Sequence, residues 1–324
     1  MASELPRSAA RGRQLWPGAI FLVGLLAAHL AAGAVPARVA IVKSNSLTPF
    51  DQASDAIMAI LTADPLQPEL LTFDLEGERS NAVAVLAAVH RAAPRLVIAV
   101  GSLATAAVLD DPEPLPALFS MVLYPRPSGF LDRPARQISG VSLDIPLELQ
   151  FSYLRRLVPA ARRVGVLYNA AETGAIIEAA RTAAAAHGLE LVASAVSEPA
   201  QAVSALGPLM ERVEVIWAVA DSHVFSPRTT PALMLAALRR RIPLIGLSTA
   251  HVRAGAVAAL SVDYADVGVQ TGEMALAVLR GASISALPPA APRKVTLALN
   301  LQTAAHLGLS IAADLQREAR ELVQ

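Results

Sequence analysis

The chain has 324 residues, of which 54% are hydrophobic and 17% charged, and its 27 basic side chains are balanced by 27 acidic ones. This length and composition suit a folded protein of about two domains and exclude a disordered chain. Zero net charge argues against a nucleic-acid-binding face, and aromatic residues, at 4%, are too few for a platform that stacks single-stranded bases. The absence of cysteine excludes disulfides, thiolate metal sites and cysteine catalysis.

The first segment has the features of a secretory signal peptide. Arg7, Arg11 and Arg13 precede an uncharged stretch over residues 15–35, which contains a short apolar middle and an Ala-Gly-Ala end. This order predicts an export leader over residues 1–34 and a mature protein in the periplasm. The alternative is an uncleaved anchor, because the uncharged stretch is just long enough to span a bilayer. Export disfavours kinases and dehydrogenases, since ATP and NAD(P)H are not supplied outside the cytoplasm.

The rest of the chain alternates apolar runs with segments of helical spacing. The predicted strands are residues 39–42, 70–75, 96–100, 117–123, 164–168, 189–196, 213–220, 242–247, 256–262 and 295–299. The predicted helices are residues 50–61, 81–93, 104–109, 146–158, 172–187, 201–211, 226–240 and 265–280. Such alternation indicates parallel strands with crossover helices, so the predicted fold class is α/β, with two doubly wound parallel-sheet lobes.

Polar residues follow most of these strands. In doubly wound sheets, ligands bind at the carboxyl ends of the strands, beside helix N-termini. Two lobes with polar loops that face a shared cleft would clamp a ligand between them. The candidate ligand-binding residues on this reasoning are Ser44, Asn45, Gly101, Ser102, Tyr124, Asn169, Asp221, Ser248, Asp263 and Tyr264.

Five stretches resemble the ABC-transporter substrate-binding family with the type I periplasmic-binding-protein fold. They are LVIAVGSLATAAVLD (96–110), ISGVSLDIPLELQFSYLRRLVPAARRVGVLYN (138–169), VIWAVADSHVFSPRT (215–229), RRRIPLIGLSTAHVRAGAVAALSVDYADVGVQTGEMALAVLRG (239–281) and LALNLQTAAHLGLSI (297–311). The resemblance covers roughly residues 39–311. Residues 50–80 are shorter than the family pattern.

The resemblance implies a two-lobed receptor, hinged by three crossings, that closes on a small polar or aromatic, amino-acid-like solute. Residues 36–143 with 249–283 would form the N-terminal lobe, and residues 144–248 with 284–324 the C-terminal lobe. Thr105 joins the candidate site, because it matches the start of the helix after the second loop. The implied partners are the solute and an ABC permease in the inner membrane, and we expect a monomer that binds no nucleic acid.

Each candidate residue also has a purely structural interpretation. Ser102 would favour an anion at a helix start, or would merely cap its own helix. Asp221 would bind a ligand amine or hydroxyl, or would hold a turn. Asn169 and Asp263 suit turns and helix caps equally well. Tyr264 would close over an apolar group or pack in the core.

The sequence predicts no cofactor, no metal site and no catalytic centre. None of the six histidines forms an HExxH pair or another close metal-binding spacing. No phosphate-cradling GxxxxGK[ST] or GxGxxG motif occurs. Consecutive Asp221, Ser222 and His223 cannot reach the geometry of a catalytic triad.

Three functions remain to be compared. The first is the solute-binding subunit of an ABC importer, in which the ligand shifts an open–closed equilibrium without chemistry. The second is a periplasmic ligand-sensing subunit that signals to a membrane sensor instead of feeding transport, which the shortened N-terminal region motivates. The third is an exported α/β enzyme, which would need a nucleophile–base pair that the sequence does not show. We favour the first.

Overall fold

The computed structural model describes Met1 and residues 36–133 and 137–324. The predicted leader, apart from Met1, therefore lies outside the described residues. Residues 37–324 form one compact unit, which contains two sheets. No helix among the described residues combines the length and the apolar character that a bilayer crossing requires.

The first lobe is a five-stranded parallel sheet in the order β2-β1-β3-β4-β5. Its strands are β1 (Arg38–Lys43), β2 (Glu69–Asp74), β3 (Leu96–Val100), β4 (Ala117–Val122) and β5 (Ile138–Ser142). Its helices are α1 (Thr48–Ala63), α2 (Ala82–Ala92), α3 (Ser102–Asp110) and α9 (Tyr264–Leu279). Strand β5, which the sequence pattern did not predict, forms one edge of this sheet.

Helices cover both faces of the first sheet, as its strand sequences require. In β1, Val39 and Ile41 pack with α1 and α9, whereas Ala40 and Val42 pack with α2 and α3. Successive side chains of a strand point to opposite faces, so a strand that is apolar throughout must be buried on both. This double burial explains the continuous apolar run of β3, residues 96–100.

The second lobe is a seven-stranded sheet in the order β12-β11-β10-β9-β8-β6-β7. Its strands are β6 (Arg163–Tyr168), β7 (Glu190–Ala195), β8 (Val215–Trp217), β9 (Leu244–Gly246), β10 (Ala258–Val262), β11 (Val295–Asn300) and β12 (Glu321–Val323). Its helices are α4 (Leu147–Leu157), α5 (Ala170–Ala186), α6 (Ala202–Met210), α7 (Thr230–Arg239), α8 (Thr249–Arg253), α10 (Leu301–His306) and α11 (Ala313–Glu318). The pairing of β10 with β11 is antiparallel, and the other pairings are parallel.

The described chain passes between the lobes three times: after β5, after β10 and before β11. The predicted boundaries differ from this arrangement in two respects. They assign residues 249–283 to the first lobe, but α8 and β10 belong to the second sheet, and only α9 crosses back to pack on α1. The segment after α9 stays with the first lobe as far as Ala290, which bridges to Val141 of β5. Helix α7 begins at Thr230, later than predicted.

Two glycines allow α9 to lie close against α1. A Cβ at Gly268 would stand 2.2 Å from the Ala53 carbonyl oxygen, and one at Gly272 would stand 2.9 Å from Ile60 side-chain atoms. Real Cβ atoms do not approach a carbonyl oxygen so closely, so a larger residue at position 268 would force the helices apart. The pair anchors α9, which returns from the second lobe, to the first.

Gly268→Ala should therefore lower the free energy of unfolding by about 2 kcal/mol, because the cost of overpacking exceeds the gain in helix propensity. Gly174→Ala is the matched control. Gly174 lies within α5 with no atom within 4 Å of a built Cβ, so the same change should stabilise the protein by about 0.5–1 kcal/mol. Urea unfolding of both variants measures the difference, and equal effects would show that α9 has room to move.

Candidate functional site

A cavity of about 580 Å³ opens at the carboxyl edge of the second sheet. Residues of the loop after β4, of the crossing after β5 and of α4 line one side of it. The ends of β8, β9 and β10 line the other. This is the edge at which parallel sheets bind ligands, because the strands end there and loops follow.

Four aromatic side chains form much of the cavity wall: Tyr124, Tyr153, Trp217 and Tyr264. The Trp217 ring packs against Phe151 with 5.1 Å between ring centroids, and its Nε1–H donates to Gln150 Oε1 at 2.9 Å. Gln150 in turn donates through Nε2 to the Ile145 carbonyl at 2.8 Å. These contacts hold the indole in one orientation, so the wall is organised before any ligand arrives.

Among the described residues that line the cavity, Asp144 is the one with a charged side chain. It lies in the crossing after β5, where its Oδ1 accepts the Tyr124 N–H at 2.8 Å. Its other oxygen accepts no hydrogen bond from a described residue. Burial raises the pKa of this carboxyl to about 6, so at neutral pH it is ionised, and none of the described lining residues supplies a counter-charge. Such a carboxylate favours a cationic group on a ligand.

Tyr124 connects the lobes at this point. It follows β4 in the first lobe, with φ at +51°, a conformation that costs energy in a residue with a Cβ. Its hydroxyl lies beside the Ala220 N–H of the second lobe. Burial, and then the nearby Asp144 charge, raise the pKa of the phenol above its ordinary value, so Tyr124 stays neutral.

His251 and Ser248 line the cavity with polar groups that the fold already uses. His251 Nδ1 accepts the Leu247 N–H at 3.2 Å, and burial lowers the pKa of the imidazole. The ring is therefore neutral, with its proton on Nε2. Ser248 Oγ accepts the His251 N–H at the start of α8. Neither residue supplies charge to the site.

A smaller cavity of about 400 Å³ lies at the carboxyl edge of the first sheet. It shares Leu123 and Leu143 with the larger one, so the two are neighbours across the crossing. Three predicted site residues line it: Ser44, Asn45 and Ser102. Three others, Tyr124, Ser248 and Tyr264, line the larger cavity.

The start of α3 differs from the prediction in its cap. Ser44 Oγ accepts the Ala104 N–H at 3.0 Å, so Ser44 caps α3 from a neighbouring loop, while Ser102 is exposed. Gly101 has φ at +92°, and a Cβ there would stand 2.4 Å from Ser44 Oγ. Thr105 is fully buried and donates to the Gly101 carbonyl at 2.8 Å. Gly101 and Thr105 therefore shape the loop and line neither cavity.

Three further predicted residues have structural roles and line neither cavity. Asn169 caps α5 by accepting the Ala171 and Glu172 N–H groups, and Asp263 caps α9 by accepting the Asp266 N–H. Asp221 is 2% exposed and accepts from the Asn169 N–H and from Thr173 Oγ1, both at 2.6 Å. At each of these positions the side chain already accepts hydrogen bonds within the fold.

Glu172, Asp221 and His223 place ligand atoms within 4.8 Å of one another. The oxygens of Asp221 already accept hydrogen bonds from Asn169, Thr173 and the His223 N–H, and Glu172 accepts from Ser222. With these lone pairs engaged, the cluster is a hydrogen-bonded brace between two loops.

Three residues of the cavity wall are absent from the sequence prediction: Asp144, Gln150 and Trp217. Asp144 was missed because β5 was not predicted, so no strand end was recognised before it. Trp217 lies at the end of β8, inside the apolar run over residues 213–220, which predicts a strand and does not distinguish a core residue from a cavity residue. A tryptophan at a strand terminus, beside the expected cleft, was the available signal.

Comparisons with known proteins agree on the fold. A family profile described as "ABC transporter substrate binding protein" matches residues 69–323 of this chain. A tyrosine-binding protein of Clostridioides difficile is 24% identical over 213 residues, which is 64% of this chain and 61% of that protein. The chain thus spans about 61% of the length of this curated relative.

Two solved structures of binding proteins have the same fold as this chain. A ligand-free, open substrate-binding protein with adhesive properties from Clostridium difficile superposes with a TM-score of 0.74 at 19% identity, covering 89% of this chain and 99% of that one. An ABC domain from Streptococcus pneumoniae in complex with L-Trp has a TM-score of 0.67 at 21% identity, with 89% and 100% covered.

The two sheets, the crossings between them and the cavity at the strand ends define a two-lobed binding protein with the type I periplasmic-binding fold. The chain belongs to the ABC transporter substrate-binding protein family. Proteins of this family bind a solute, as the family description states.

Proposed function

We propose that this protein is the exported receptor of an ABC importer and that its solute is an aromatic amino acid or a close analogue. The observation that carries the proposal is the pairing of one ionised, half-buried carboxylate, Asp144, with a wall of four aromatic rings. An aromatic amino acid carries an ammonium group close to an aromatic ring, and these two groups match the carboxylate and the aromatic wall of the site.

Each part of such a ligand has a counterpart in the site. The α-ammonium group would donate to the second oxygen of Asp144, to which no described residue donates, in a charge-assisted hydrogen bond with no cation from the described lining residues to compete. The ring would pack against Trp217, Tyr124 and Tyr153. The α-carboxylate would face the first N–H groups of α3, at Ser102 and Leu103, in the neighbouring cavity.

A ligand held in this way would contact both lobes. It would favour the closed arrangement by its differential affinity for that state, and an inner-membrane permease would recognise the closed form. The predicted leader supports export of the chain. The tyrosine-binding relative and the L-Trp complex support the class of solute.

Trp217 provides a direct readout. The sequence has two tryptophans, Trp16 and Trp217, so a protein that lacks residues 1–34 emits from Trp217 alone. We expect L-tyrosine and L-phenylalanine to change this emission and to bind with micromolar or tighter affinity in calorimetry, because the cavity buries most of such a ligand.

L-Alanine, which has the same charged groups but no ring, is the control ligand and should bind weakly. Trp217→Phe removes the fluorescence and keeps a ring, so calorimetry on that variant checks that the signal reports binding at this wall. If neither tyrosine nor phenylalanine bound, the proposed function would be wrong.

A further inference from the structure

The larger cavity continues into the second lobe, beneath α4. The parallel strands of this lobe end at the cleft, so in β10 Val262 lies at the cleft and Ala258 lies farthest from it. Helix α4 leads from the crossing to the amino end of β6, so Leu157, its last residue, is also far from the cleft. Ala258 and Leu157 both line the cavity.

These positions give the cavity a length. Four residue steps of β10 span roughly 13 Å, and the ten steps of α4 from Leu147 to Leu157 span roughly 15 Å. The cavity therefore runs between α4 and the sheet for most of the length of β10. That distance exceeds the length of a tyrosine side chain, so a single amino acid bound at the cleft would reach only part of it.

The chemistry changes along this length. The cleft end has Asp144, Gln150 and Ser248, whereas the far part is lined by Leu157, Ile176, Ala258, Leu260 and Leu297. We call this far part the inner channel. Trp217 lies level with Ala258, two strands away in the sheet, and its indole reaches back to Gln150 at the cleft end of α4. In β10, Ala258 and Leu260 point to the face that packs with α4 and α5, and Leu297 pairs with Leu260 from β11.

Tyr153 separates the inner channel from the surface. Its ring lines the cavity, while its hydroxyl hydrogen-bonds Glu318 of α11 on the outside. No charged side chain of the described residues lines the inner channel. A ligand group that enters it must therefore be apolar, because a polar group would lose its hydrogen bonds to water without replacement.

We propose that the solute is an elongated aromatic amino acid, with an apolar substituent on the ring that enters the inner channel beneath α4. This inference rests on the proposed function, since it takes Asp144 as the group that holds the ammonium. The channel is a continuation of the cavity that contains Asp144, and its walls offer van der Waals contacts that tyrosine or phenylalanine would leave unmade.

Calorimetry with a series of 4-substituted L-phenylalanines tests the proposal: the parent, L-tyrosine, and the 4-ethyl, 4-butyl and 4-phenyl derivatives. Affinity should rise by about fourfold for each methylene-sized group buried. The 4-butyl derivative should therefore bind at least about tenfold more tightly than phenylalanine.

Two variants locate the effect. Ala258→Leu fills the end of the channel from the sheet, and Ile176→Phe fills it from α5, where the side chain is only partly buried and the substitution is easier to accommodate. Both should weaken binding of the 4-butyl and 4-phenyl ligands at least about fivefold more than binding of phenylalanine, because each fills space that only the longer ligands would occupy. The readout is the ratio of 4-butyl-phenylalanine affinity to phenylalanine affinity. A general loss of stability would lower both affinities alike and leave this ratio unchanged.

The outcomes distinguish the inference from the proposed function. Two results would overturn the inference of an elongated ligand and leave the proposed aromatic amino acid intact. In the first, phenylalanine and tyrosine bind but the extended ligands bind no more tightly. In the second, neither variant changes the ratio of extended-ligand affinity to phenylalanine affinity. If no member of the series binds, the proposed function itself is wrong, and the inference falls with it.

Discussion

Asp144→Asn should weaken binding of an aromatic amino acid by about 10- to 100-fold. A hydrogen bond to a charged group contributes about 1.5–3 kcal/mol, and each 1.4 kcal/mol is a factor of ten in affinity. Asparagine has nearly the same volume, and its oxygen still accepts the Tyr124 N–H, so the substitution removes the charge and little else. Calorimetry on both proteins at pH 7.5 measures the loss.

A matched ligand separates the ammonium contact from other effects. 3-Phenylpropionate lacks the amino group but keeps the ring and the carboxylate. It should bind the wild-type protein weakly, because it brings no cation to Asp144, and should bind Asp144→Asn at least as well. Equal losses for both ligands would contradict the assignment, since they would mean that the variant damages the cavity itself.

The pKa of Asp144 adds a pH dependence. With that pKa raised to about 6, phenylalanine affinity should be constant above pH 7 and fall towards tenfold per pH unit below 6, as the carboxyl is protonated. The ligand-free protein should respond in the opposite sense. A raised carboxyl pKa in the folded state stabilises the fold at low pH, and this contribution is lost as pH rises through 6. Asp144→Asn should abolish both trends.

Asp221→Ala should lower the free energy of unfolding by about 3 kcal/mol. The carboxylate accepts hydrogen bonds from Asn169, Thr173 and His223, and its removal leaves buried donors without partners. Ligand affinity, measured well below the unfolding temperature, should stay within about threefold, because Asp221 does not line either cavity. Urea unfolding and calorimetry measure the two quantities.

Two further variants serve as controls. Asp221→Asn retains one acceptor oxygen and should cost less than the alanine variant. Asp55→Ala removes an exposed carboxylate of α1 and should change stability by no more than about 0.5 kcal/mol. A stable Asp221→Ala protein with much weaker ligand binding would restore Asp221 to the binding site.

Much of the fold could be predicted because apolar runs such as residues 96–100 have to be buried wherever they occur. The predicted α/β class and two-lobed form are confirmed. Strand β5 escaped because Gly140 and two serines interrupt its apolar pattern, although it is almost wholly buried at the sheet edge. Its burial depends on the neighbouring strand and on Ala290, which are distant in sequence.

The candidate site was harder to predict for a related reason. Serine, asparagine and aspartate after a strand serve equally well as caps and as ligand contacts, and the choice depends on which donors are nearby. Asn169, Asp221 and Asp263 found backbone N–H groups within their own loops. Asp144 has an oxygen left over, because its only described partner for the side chain is the Tyr124 N–H.

By itself, the sequence determined that this protein alternates strands and helices, that polar loops follow the strands, and that it resembles a family of two-lobed binding proteins. The first two properties are local, since they follow from the spacing of apolar residues over a few turns, whereas the resemblance rests on the residues of five particular stretches. The tertiary structure alone decided that one oxygen of Asp144 accepts no hydrogen bond from a described residue, that Trp217 faces a cavity, and that this cavity runs beneath α4. Those outcomes depend on which distant segments meet, and no spacing along the chain encodes a distance between two lobes.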